Sequence, residues 1–126
     1  QQHPNGAQVV TEVVMRAPDP GAHAEFFGRL QGRGAVSASP GRLDVKTARG
    51  SVTLLDAPGI AQRFPDMILP GPADSACFVA YRVAVADLGA TEKLLRERPV
   101  TLKRHRGALI VDPAAALGVA IEFVQA

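Results

Sequence analysis

Laid over itself at a shift of 68 positions, the chain brings PDPGAH (18–23) onto ADLGAT (86–91) and GSVTLL (50–55) onto GVAIEF (118–123). Two separated blocks at one offset imply a single supersecondary unit used twice, which constrains the fold more than any one motif does. In the first half, QVVTEVVMR (8–16) is β-branched and reads as a strand. Asp19 followed by Pro20 predicts an N-cap and a helix running to Leu30. Three short strands follow at 35–39, 42–48 and 51–56, separated by Pro40-Gly41 and Arg49-Gly50 turns. In the second half, CFVAYRVAV (77–85) is the strand. Asp87 caps a helix over 88–98 that Pro99 stops, and 100–104, 108–111 and 119–125 are strands. Both halves read βαβββ.

The expectation is a single α+β domain, with module 1 at 7–57, a linker at 58–74 and module 2 at 75–126. The linker holds Pro58, Pro65, Pro70 and Pro72 and one helical candidate at 59–64, and could serve as a lid. Two such modules build a curved mixed sheet with helices on its convex side and a concave cleft opposite, where function is expected.

Glu12 is a carboxylate inside an otherwise apolar strand. A period of two puts Val10, Glu12, Val14 and Arg16 on one face, with Val9, Thr11, Val13 and Met15 on the face that packs against the helix. The same alternation in the second module sends Phe78, Ala80, Arg82 and Ala84 to the cleft and Tyr81 to the core.

Composition narrows the partners. A net charge of +2 and a pI of 9.1 are mildly basic, and aromatics at 5% are too few for a nucleic-acid stacking surface. The one dense run, Lys103-Arg104-His105-Arg106, reads as a solvated turn. No apolar stretch reaches the roughly 20 residues that span a bilayer. The lone Cys77 excludes an internal disulfide and makes a reducing cytoplasm the default. Ser51 and Cys77 lack a companion His and Asp at a catalytic spacing, His23 reads as a surface residue of the first helix, His105 as part of the basic turn, and His3 reaches the cleft only if the incoming segment folds back. The opening QQHPNG has no initiator Met and reads as a cut end or a joint to an upstream segment.

The joints MRAPDPGAHAEFFGRL and RVAVADLGATEKLL, with the closing GVAIEFVQ, resemble the vicinal oxygen chelate superfamily of glyoxalase, bleomycin-resistance and extradiol-dioxygenase domains over residues 9–125. The resemblance implies a cleft in which metal-using members hold a divalent ion between His, Glu or Gln residues of the first and last strand of each module. The matching positions are Glu12, Leu54, Ala80 and Glu122, of which two can bind a metal. It also implies that this chain is the C-terminal half of a two-domain member, its partner being an upstream domain or a second copy in a homodimer.

Two carboxylates without imidazole suit only a hard, water-rich ion such as Mg or Mn, so no metal or cofactor is favoured, although a divalent ion stays open. Three readings follow. In the first, the cleft binds a small molecule at a degenerate metal site, through Glu12, Arg16, Phe78 and Arg82, with Glu122 the candidate catalytic base. In the second, it is a metal-dependent lyase or dioxygenase of glyoxalase type. In the third, a structural or dimerising module fills its cleft with side chains, and the carboxylates and guanidiniums pair with one another.

Overall fold

The computed structural model describes residues 8–65, 76–97, 102–112 and 119–126. Strands β1 (Gln8–Arg16), β2 (Val36–Ser39), β3 (Arg42–Lys46), β4 (Ser51–Leu55), β5 (Cys77–Val85), β6 (Leu102–His105), β7 (Ala108–Val111) and β8 (Ala120–Gln125) form one curved sheet in the order β2-β3-β4-β1-β5-β8-β7-β6. β1 and β5 pair antiparallel at its centre, while β1 with β4 and β5 with β8 pair parallel. The order of strands in each half is therefore repeated in the structure. His3, Pro70, Pro72 and the helix stop at Pro99 lie outside the described residues.

Helices α1 (Ala24–Gln31) and α3 (Leu88–Arg96) cover one face of the sheet. Ala24 and Phe27 pack on Leu43, Val45 and Leu54, and Leu95 packs on Val85, Leu88 and Leu109. Asp87 caps α3 by accepting from the Ala90 amide at 3.0 Å. Asp19 makes no such bond. Residues Pro20–His23 form a 3-10 turn, the Asp19 carbonyl itself accepts from the Ala22 amide, and the α-helix begins only at Ala24.

The stretch expected as a linker supplies a helix to the opposite face. In α2 (Ala57–Arg63), Asp56 is the N-cap, accepting from the Gly59 amide at 3.0 Å, and Pro58 lies in the first turn. Ile60, Arg63 and Phe64, at positions i, i+3 and i+4, look at the sheet. Ile60 and Phe64 pack with Val14, Leu55, Val79, Ala80, Ile110 and Ala120. Ala80 and Ala120 are neighbours in register, and their small side chains leave room for the helix. Burying two such apolar side chains contributes about 1.5–3 kcal/mol each.

Two register breaks correct the expected faces. Val79 is an extra residue in β5, so Val14 lies opposite Ala80 but Met15 lies opposite Phe78. Phe78 thus turns to the helix-bearing side, where it is 55% exposed, and Val79 takes the buried place on the cleft side. A second break at Thr11 sets Val10 opposite Val83, whose side chain packs beneath α3. Tyr81, expected in the core, is exposed beside Val13. Among the described residues no helix is long and apolar enough to cross a membrane.

Candidate functional site

Cross-strand pairing sets Ser51, Glu12, Arg82, Glu122, Ile110 and Lys103 in one row across β4, β1, β5, β8, β7 and β6. Neighbours in such a row share a face. Arg82 therefore stands between the carboxylates of two flanking strands, with its Nε 2.7 Å from Glu122 and 3.8 Å from Glu12.

Arg63 closes the arrangement from above. Its Nη2 donates to Glu12 Oε1 at 2.7 Å and to Glu122 Oε1 at 2.7 Å, and its Nη1 donates to Glu12 Oε2 at 3.0 Å. The Thr53 hydroxyl donates to the same Glu12 oxygen. One nitrogen on α2 thus bridges a carboxylate from each module. The Arg63 Nε is buried and has no partner among the described residues, a desolvation cost of about 1–3 kcal/mol that the three charge-assisted hydrogen bonds of its terminal nitrogens must offset.

Burial by itself would push both carboxyls up. For Glu12 the hydrogen bonds from Arg63 and Thr53, with the charges of Arg63 and Arg82, outweigh it and hold the group below its ordinary 4.5. Glu122 is likewise held low against burial by Arg63 and Arg82. Desolvation opposes the Arg63 charge, but its two carboxylate partners raise its pKa above the usual value.

The expected ligand positions need one correction. Glu12 pairs with Ser51, whereas its repeat equivalent Ala80 pairs with Ala120, so Ser51 maps onto Ala120 at a shift of 69, one more than in the first strands. The counterpart of Glu122 is therefore Thr53 rather than Leu54. A slip of one residue reverses the face of a strand, and Leu54 is fully buried under α1, as Phe123 packs under α3.

A cavity of about 500 Å³ opens beside this network, lined by Glu12, Arg42, Asp56, Arg63, Arg82, His105, Arg106 and Glu122 among others. Arg16 and Phe78 do not line it. Arg16 lies at the end of β1, opposite Leu55 and Cys77, with its Nη2 3.8 Å from the Cys77 sulfur. The basic run is more than a solvated turn. Lys103 donates to the Pro65 carbonyl at 2.7 Å, His105 Nε2 lies 3.0 Å from the Gln62 carbonyl, and Arg104 pairs with Glu92 of α3. Two of its members thus hold the C-terminal end of α2.

Sequence reasoning missed Arg63 and Thr53. The Asp56-Ala57-Pro58 start of α2 is a signal of the same kind as the one at Asp87, and would have placed Arg63 on the face of Ile60 and Phe64.

The described residues around Glu12 and Glu122 do not offer the ligand set of a divalent ion. Among the described residues no three His, Cys, Asp or Glu side chains converge to hold one. Moreover, the point between Glu12 and Glu122 is taken by a guanidinium nitrogen 2.7 Å from each, where a second cation would meet a like charge at contact distance.

The fold is that of the vicinal oxygen chelate, or glyoxalase-like, domains. Among solved structures, the chain is similar to methylmalonyl-CoA epimerase from Mycobacterium tuberculosis, with 18% identity, a TM-score of 0.59, and coverage of 93% of this chain and 87% of that one. It is also similar to a hypothetical protein from Bacillus halodurans C-125, at 13% identity and a TM-score of 0.63 over 95% of both chains. A third, a methylmalonyl-CoA epimerase from Streptomyces coelicolor with a Gln in place of a Glu and in complex with 2-nitronate-propionyl-CoA, shares 15% identity at a TM-score of 0.57 over 94% of this chain and 96% of that one. No family model matches the sequence, and no curated protein matches it.

Proposed function

We propose that the domain binds a small molecule in its concave cleft without a divalent metal, Arg63 supplying the positive charge between Glu12 and Glu122. The observation that carries this is the single Arg63 nitrogen shared by the two carboxylates at 2.7 Å each. An internal cation satisfies both buried anions, so the cleft needs no ion to be stable. Arg82 is the binding residue and Glu12 its support. Glu122, bonded by Arg63 and Arg82 and held below its ordinary pKa, is a weak base near neutral pH, where a carboxylate must be raised to accept a proton effectively.

The epimerases among the similar structures favour one alternative, in which Glu122 moves a proton on a bound acyl-CoA compound. That chemistry requires Arg63 and Arg82 to withdraw from Glu122 when substrate enters, freeing the carboxylate to regain basicity.

The test is elemental analysis of protein purified without chelators or affinity metal, followed by a small-molecule screen read by amide chemical shifts. The expected result is metal-free protein, no thermal stabilisation by millimolar Mn²⁺, and ligands that shift the amides of Gly41 and Gly59, which line the cavity. Stoichiometric divalent metal that vanishes in Glu12→Ala/Glu122→Ala protein would overturn the proposal.

A further inference from the structure

We infer that the molecule taken by the cleft carries an oxyanion, a carboxylate or a phosphate group, gripped by Arg106 and the terminal nitrogens of Arg82; this rests on the cleft being a ligand site. Beside Glu122 Oε2 and Asp56 Oδ2, the hydrogen-bonding capacity left open in the cavity belongs to guanidinium donors. Both oxygens of Glu12 are engaged by Arg63, and Thr53 adds to one of them. Asp56 caps α2 through Oδ1. Among the cations, Arg42 is held by two bonds to Asp44 and Arg63 by the two glutamates. Arg82 commits only its Nε, to Glu122. Of the four guanidiniums around the cavity, Arg42, Arg63 and Arg82 each have a carboxylate partner and Arg106 has none among the described residues.

Arg106 is the odd member of the basic run. Lys103, Arg104 and His105 each have a partner, whereas Arg106 lines the cavity with no hydrogen bond or ion pair among the described residues. It also adopts φ +52°, followed by Gly107 at φ +80°. Two positive φ values make the tight hairpin turn that Asn-Gly fills most easily. An Arg in the first position bears a conformational cost and places a planar, five-donor cation at the cavity, which suits two-point recognition of an oxyanion.

The experiment is an NMR titration of the whole domain with malonate and with inorganic phosphate at constant ionic strength, on wild type, Arg106→Gln and Arg104→Gln. The two variants lose the same charge, but Arg104 points to Glu92 on α3. Saturable binding is expected, weakened about tenfold or more in Arg106→Gln, as for loss of a charged hydrogen bond, and less than twofold in Arg104→Gln. The tighter of the two anions identifies the group. Equal weakening in both variants would reduce the effect to diffuse attraction and overturn the inference. Neutral amide fragments that saturate the cleft when neither anion does would overturn it while leaving the binding function intact. A cleft that takes neither would remove both.

Discussion

Replacing Arg63 by Ala isolates the network from everything else the fold does. In wild type the Arg63 side chain is 15% exposed, and its partners Glu12 and Glu122 are 12% and 4% exposed. Removing one member of a buried ionic pair costs about 3–5 kcal/mol, because the other charge is stranded. Glu122 keeps Arg82 at 2.7 Å and Glu12 keeps Thr53, which places the expected loss at the lower end, about 3 kcal/mol at pH 7. For a domain of this size that corresponds to a fall in Tm of roughly 10 °C. Urea unfolding at a series of pH values supplies the decisive readout. Both carboxyls are depressed in wild type, and without Arg63 burial and mutual repulsion drive them up instead. A raised carboxyl destabilises the fold where it must ionise, so the deficit of the variant should be largest at pH 7 and shrink as pH falls toward 4.5. A loss below about 1 kcal/mol that does not vary with pH would match an exposed surface pair and refute the buried bridge.

Wild-type stability should itself respond to acid. Because Glu12 and Glu122 titrate below their ordinary 4.5 in the folded state, their contribution is complete above that value and is lost as pH falls through the depressed pKa. Glu122→Gln should flatten that acid limb in a pH series of denaturant midpoints. Gly50→Ala should cost about 1–3 kcal/mol by overpacking, since its new Cβ would overlap the Thr11 carbonyl oxygen, a backbone atom at the β1–β4 seam. Gly34→Ala, with nothing within 4 Å, serves as the control in the same urea series and should stay within about 0.5 kcal/mol.

The features legible in the sequence were those with a local cause. β-branched runs, Asp87 before a helix, and turn glycines report their conformation within a few residues, and they returned the doubled βαβββ order. Glu12 and Arg82 were legible as cleft residues because strand alternation holds between the bulges. Phe78 and Val10 fell on the wrong face because one unpaired residue inverts the alternation, and Thr11 and Val79 carry no mark of that role. Leu54 stood in the place of Thr53 for a related reason: the repeats differ by one residue before their last strands, so the shift of 68 that matches Gly50 to Gly118 is one short of the strand pairing. Arg63 was hidden by distance. Its partners lie 51 and 59 residues away, and no periodicity in 58–74 foretells which sheet face a short helix will cover.

The shared nitrogen on α2 has a further consequence for how the molecule comes apart. Glu12 belongs to the first repeat and Glu122 to the second, and Arg63 sits on the chain that joins them. Separating the repeats would break the Arg63 bridge between their carboxylates and leave each central strand without its neighbour. The repeats should therefore not fold apart, and the domain should melt in one cooperative step despite its two-fold plan.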